Sequence, residues 1–171
     1  AFKEYPMEIA EVASMAMELF SMQHWQPFFE KESDLNRAIE HQLERTITIF
    51  PWIAIIDKFQ HWVYTNPAHT IEQRTNEWQN IVKEFSSKTL NQSGLKEFRA
   101  IGWQRQLHLF EVPFYYIEYG IAQLGAIGMW MQYQKNPKQA LENYMNALAL
   151  GGTKTLPELY QTAGLEFNFS P

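Results

Sequence analysis

The sequence predicts an all-α fold, a multi-helix bundle. Apolar residues recur at three- and four-residue intervals along most of the chain, and helix caps and stops punctuate those runs. One short stretch, "TITIF" (46–50), has the β-branched density of a strand, and it too lies inside a helical period and reads as helix.

The first run, "EIAEVASMAMELF" (8–20), follows Pro6 and predicts a helix to about Met22. Trp25, Pro27, Phe28 and Phe29 then form an aromatic turn. Ser33 and Asp34 offer N-cap oxygens to a second helix, "LNRAIEHQLERTITIF". Pro51 should kink or restart it ahead of "WIAIIDKFQHWVY", because proline lacks the amide that the helix interior needs. "TNPAHT" reads as a loop, and Thr70 with Gln73 has the spacing of a capping box. The helix it opens, "IEQRTNEWQNIVKEF", ends in the loop "SSKTLNQSG". A further helix is predicted from Pro113 to about Gln134. Asn136 and Pro137 are an N-cap and first-turn proline for "KQALENYMNALAL", which Gly151 and Gly152 stop. A last short helix follows Thr155, Leu156 and Pro157, with Gly164 as its terminating residue. Gly120, Gly125 and Gly128 would each cost a helix about 1 kcal/mol relative to alanine. A helix that carries them, with Ala122 and Ala126, is expected at a bundle centre where another backbone approaches closely.

At 171 residues the chain suits one domain, 1–171. Its 46% hydrophobic and 15% aromatic content excludes a disordered tail. A net charge of −5 argues against nucleic-acid partners. The absence of cysteine removes disulfides, thiolate metal sites and thiol nucleophiles, and fits a reducing compartment such as the cytoplasm. "FYYIEYGIAQLGAIGMWM" (114–131) is long and apolar, but Glu118 and Gln123 within it favour a buried core helix over a membrane span.

No complete catalytic site is visible. No two histidines stand four residues apart, so HExxH is absent, as are a phosphate loop and a GxSxG elbow. What remains is an acidic stripe, with Glu8, Glu11 and Glu18 on one helical face and Ser14 between, and an aromatic, histidine-bearing segment, "HLFEVPFYYIEY" (108–119). On residues alone, the stripe reads as a solvated acidic face and the tyrosines as caps of a core helix. Asp57 and His61, four apart, could share an intrahelical bond in a buried packing role or a channel wall. His24 and His69, at helix boundaries, read as solvated. Arg105 reads first as an ion-pair partner for an inner carboxylate, and second as a contact for a substrate end.

"PMEIAEVASMAMEL", "IIDKFQHWVYTNPAHTIEQR", "GWQRQLHLFEVPFYYIEYGIAQLGAIGMW" and "ALALGGTKTLPELYQTAGLEFNFS" together resemble, in that order, the C-terminal catalytic region of the oligoendopeptidase F family of zinc metallopeptidases, relatives of thimet oligopeptidase. The resemblance implies a mostly helical cytoplasmic peptidase enclosing a channel and cutting short peptides. Its zinc would be held by two histidines of an HExxH helix and by a glutamate in a pattern like E-V-x-S-x-x-x-E. Glu11, Val12, Ser14 and Glu18 satisfy that pattern, which makes Glu11 the implied third ligand and Glu18, with Ser14, its supporting shell. The resemblance also sets His108, Tyr115 and Tyr119 opposite the zinc as donors to the oxyanion, with Tyr116 and Arg105 as substrate contacts. Tyr115 and Tyr119, four apart, are expected on one face at a helix start.

This chain begins after the place where HExxH should stand. It is therefore expected to be part of a longer protein, to bind zinc weakly at best alone, and to hydrolyse nothing by itself. Its implied partners are short peptides and the missing N-terminal part, with self-association through exposed apolar surface. The alternative is a non-catalytic helical module that keeps a peptide cleft and has lost the metal site.

Overall fold

The computed structural model describes residues 5–87, 89 and 93–168. Every regular element among them is a helix. In order these are α1 (Met7–Ser21), two 3₁₀ turns (Met22–His24 and Gln26–Phe28), α2 (Glu32–Thr65) and α3 (Ile71–Phe85). After them come α4 (Lys96–Ala100), a 3₁₀ turn (Gly102–Arg105), α5 (His108–Glu111) and α6 (Tyr116–Lys135). The chain closes with α7 (Pro137–Ala149), a 3₁₀ turn (Gly151–Thr153) and α8 (Leu156–Thr162). The described residues within 1–45 and 118–171 form one compact unit, and those within 46–117 a second.

In the first unit, α1 buries one stripe, Ile9, Val12, Ala16, Leu19 and Phe20, at the three- and four-residue intervals of a helix face. It packs in one core with Ala122, Ala126 and Met129 of α6, Ala140 and Ala147 of α7, and Leu159 and Tyr160 of α8. Each large apolar side chain so buried contributes about 1.5–3 kcal/mol. The glycines of α6 make room for neighbouring side chains, not for the close backbone that the sequence predicts. A Cβ on Gly125 would stand 2.8 Å from both Val12 Cγ2 and Tyr160 Oη, and one on Gly128 would stand 2.7 Å from Leu165 Cδ2. Buried hydroxyls here find backbone acceptors: Tyr160 donates to the Ile121 carbonyl at 3.1 Å and Tyr144 to that of Ala13 at 3.0 Å. Asn136 accepts from the Gln139 amide to cap α7, with Pro137 following, and Gly164 ends α8 at φ +72°.

The second unit has an aromatic core. Ile55, Ile56 and Phe59 of α2 pack on Trp78 and Ile81 of α3 and on Trp103. Phe59 and Trp52 each meet Trp78 near edge-on, with ring centroids 5.1 and 6.0 Å away. The Trp78 indole donates to the Arg99 carbonyl at 2.8 Å, tying α4 to α3. The Thr70–Gln73 capping box forms as predicted, with bonds of 3.2 and 2.8 Å.

Four boundaries differ from the sequence reading. Pro51 does not restart a helix, since α2 runs unbroken from Glu32 to Thr65. Pro51 and Ile47 are both exposed, so water can take the Ile47 carbonyl that the missing amide leaves unpaired. Ser33 and Asp34 lie inside the first turn of α2 rather than before it, and Asp34 pairs with Arg37 at 3.0 Å. The predicted start at Pro113 moves to Tyr116, because Phe114 takes a left-handed φ of +63° that a helix cannot include. Finally, 95–112, which carries no regular sequence period, folds into α4, a 3₁₀ turn and α5. Residues 88 and 90–92 of the predicted loop 86–94 lie outside the described residues. No helix among the described residues is long and apolar enough to cross a membrane.

Candidate active-site residues

The predicted site residues divide between the units: Glu11, Ser14, Glu18 and Tyr119 belong to the first, and Arg105, His108, Tyr115 and Tyr116 to the second.

In the first unit, Val12 and Ala16 are buried while Glu8 and Glu11, on the neighbouring part of the α1 surface, are half-buried. Across from them α6 presents Glu118. Its carboxyl is held above the usual range, first by burial and then by the charges of Glu8 and Glu11. One of its oxygens, Oε2, is buried without a hydrogen-bond partner. The charges of Glu8 and Glu11 thus act on Glu118 through space, and the lost hydration of its Oε2 is not repaid by any donor among the described residues. The sequence reading passed over Glu118 except as evidence against a membrane span. The signal was present, since a carboxylate inside an apolar run is costly to bury. Ser14 is exposed and donates to the Glu11 backbone carbonyl at 3.0 Å, so it acts on the helix and not on the Glu11 carboxylate. Glu18 is exposed and accepts from Gln42 Nε2 of α2 at 2.9 Å. Tyr119 is half-buried on α6.

In the second unit, the His108 ring lies edge-on to Tyr116 at 5.0 Å and stacked with Tyr115 at 6.1 Å. The Gln106 amide meets His108 Nδ1 at 2.8 Å; as donor, it leaves the ring proton on Nε2. Gln106 and Trp52 also bond the Tyr116 hydroxyl, and burial outweighs both in raising that phenol above its usual range. Gln106 therefore bridges His108 and Tyr116, a role that no spacing rule pointed to. Tyr115 lies one residue before α6, in the turn set by Phe114, so the helical i,i+4 argument for pairing it with Tyr119 does not apply.

Three side readings need correction. Arg105 is exposed and pairs with no carboxylate of the described residues; instead it borders a cavity of about 630 Å³ with Trp52, Trp78 and Phe98. His61 does pair with Asp57 at 3.5 Å as its spacing predicts, but it is exposed, and its neighbour Gln60 is the buried residue of that turn. His69 is not simply solvated: Nε2 accepts from Arg74 Nε at 2.7 Å, and Nδ1 bonds the Asn66 carbonyl.

No three His, Cys, Asp or Glu side chains among the described residues stand in a metal-holding arrangement.

A comparison with curated protein sequences returned no match. Among solved structures, a PZ peptidase A with an inhibitor is similar, at 32% identity and a TM-score of 0.87 over 96% of this chain and 29% of its own. A protein described as an oligoendopeptidase F is 32% identical, with a TM-score of 0.84 over 95% of this chain and 28% of its own. Another so described, from Bacillus anthracis, is 30% identical, with a TM-score of 0.74 over 96% of this chain and 26% of its own. The chain thus spans less than a third of the length of these relatives. The profile of peptidase family M3 matches residues 2–170, and the chain belongs to that family.

Proposed function

We propose that the whole protein is a zinc-dependent, cytoplasmic endopeptidase for short peptides, and that this chain supplies part of its active site. The family and the oligoendopeptidase F relatives support a metallopeptidase. The observation that carries the metal assignment is the match to peptidase family M3 over residues 2–170, with Glu11, Val12, Ser14 and Glu18 standing in the pattern of that resemblance.

In this reading Glu11 holds zinc together with two imidazoles from polypeptide outside this chain. Zinc, when bound, supplies a polarised water and a Lewis acid for the scissile carbonyl. The residues of this chain do the remaining work. His108, its proton on Nε2, and the phenols of Tyr115 and Tyr119 donate to the developing oxyanion, each such donor being worth about 3 kcal/mol. Gln106 orients both His108 and Tyr116, and Tyr116 and Arg105 contact the peptide. Glu18, steadied by Gln42, and Ser14, through the α1 backbone, position Glu11.

Alone, the chain binds zinc weakly, hydrolyses nothing and self-associates through exposed apolar side chains such as Phe98 and Ile71, which the rest of the protein would cover. The test is Glu11→Gln in the whole protein. Zinc content should fall below one equivalent, and kcat/KM on a quenched fluorescent peptide should drop at least about a thousandfold. Full zinc occupancy in that variant would remove Glu11 from the ligand set. A wild-type whole protein that binds peptides but neither zinc nor water-driven cleavage would establish the non-catalytic alternative instead.

A further inference from the structure

The chain turns sharply between α5 and α6. The Tyr115 amide donates to the Val112 carbonyl at 3.2 Å, which closes a four-residue turn with Pro113 second and Phe114 third. Among the described residues Phe114, at φ +63°, is the one non-glycine residue in the left-handed region. Proline second and a positive φ third is the pattern of a type II turn, whose third position ordinarily falls to glycine. A side chain there crowds its own backbone, so phenylalanine is strained, and a strained residue persists only where its surroundings hold it.

What holds it is aromatic. The Phe114 ring centroid lies 5.0 Å from that of His61 and 5.0 Å from that of Tyr64. His61 and Tyr64 stand three apart and share one face of α2. Asp57, one turn earlier, meets His61 at 3.5 Å and steadies that ring. Tyr115, next in the chain after Phe114, stacks on His108 with centroids 6.1 Å apart. His108 opens α5 and Tyr116 opens α6, so this single turn sets how the two rings meet. All of these residues belong to the second unit. Were Phe114 to relax to a negative φ, the peptide leading to Tyr115 would rotate and the closing bond to Val112 would break.

We infer that Phe114 is a positioning residue, whose ring, gripped by His61 and Tyr64, holds the left-handed turn that sets Tyr115 against His108. That role rests on the peptidase reading, in which His108 and Tyr115 are oxyanion donors, and it requires no contact between the phenyl ring and the peptide. A glycine would enter the same turn freely and leave it as freely, whereas a gripped ring keeps one conformation.

The test uses the whole protein. Phe114→Ala keeps the cost of the left-handed φ and loses the grip, so kcat on a quenched fluorescent peptide should fall at least about tenfold, with KM within about twofold. Phe114→Gly removes that cost and should restore kcat to within about threefold of wild type. Phe114→Tyr keeps the ring and should match wild type in both constants, and zinc content should be the same in all. Tyr64→Ala changes a residue 55% exposed, loosens one side of the grip, and should lower kcat by about threefold in wild type but not in Phe114→Gly. A second readout needs no catalysis. With 3-fluorotyrosine at position 115, the ¹⁹F resonance should move or split in Phe114→Ala and stay in place in Phe114→Gly. A glycine variant as slow as the alanine variant, or a loss confined to KM, would make the ring a substrate contact and overturn the assignment. An unmoved resonance in Phe114→Ala beside normal cleavage would overturn it too, and leave the peptidase reading intact. A resonance that responds as expected in a protein that cleaves no peptide would support the grip on Tyr115 and sink the peptidase reading alone.

Discussion

The two units reach burial by opposite routes. The first makes room for neighbouring side chains by omitting its own: Gly125 and Gly128 leave so little space that an added methyl group would collide with Tyr160, Val12 or Leu165. The second fills its centre with large rings, Trp78, Phe59 and Trp103. Rings meeting edge-on do not tile space, and the cavities of about 630 and 250 Å³ both border these side chains. Close approach yields a core with little to adjust, whereas packed indoles leave concave surface beside polar atoms, the raw material of a binding site.

That contrast can be tested by mutation. The largest expected effect is in the ring-filled core: Trp78→Ala should cost about 3–5 kcal/mol in a denaturant titration, because it opens a cavity and takes the indole donor from the Arg99 carbonyl. Next come the glycines. Gly125→Ala should cost about 1–3 kcal/mol, since overpacking outweighs the better helix propensity of alanine. Gly102→Ala, whose new methyl would lie 3.4 Å from the Trp78 indole, should stay within about 0.5 kcal/mol of wild type. Equal costs for the two glycines would erase the distinction between the cores. Thr70→Ala removes one half of the capping box on α3 and should cost about 1 kcal/mol, read as a lower Tm.

The smallest effect is electrostatic. Glu118 has its folded-state carboxyl raised above the unfolded value, so its charged form opposes folding at neutral pH, and protonation relieves this as pH falls through the raised value. Glu118→Gln should therefore stabilise the chain at pH 7 by less than about 1 kcal/mol, and the gain should shrink in mild acid, as stability curves at several pH values would show. A variant that loses stability at pH 7 would mean that Glu118 is paired and not opposed.

The helical reading transferred well wherever one residue makes its own case. Thr70 with Gln73, Asn136 with Pro137, and Gly164 act through bonds within a few residues of themselves, and each behaves as its spacing predicts. Of the kink or restart expected at Pro51, the restart does not occur, because the cost of a proline depends on whether the freed carbonyl reaches water, and only the three-dimensional exposure of Ile47 answers that. The site was legible in the same uneven way. Glu11, Ser14, Glu18, His108 and the tyrosines stand in a linear pattern that the family resemblance could read. Glu118 and Gln106 were not visible in that way, since one matters through carboxylates on another helix and the other through two neighbours it bridges.

The sequence by itself determined that this protein is helical, where most helices begin and end, and which peptidase family it joins, because caps, periods and motifs are short-range and survive without coordinates. Only the tertiary structure decided which polar groups lose their water. How strongly the carboxyl of Glu118 is pushed upward, and whether the indole and amide of Trp103 and Gln60 go without acceptors, depends on what other segments bring into contact. Desolvation is set by those distant neighbours, and no linear pattern encodes them.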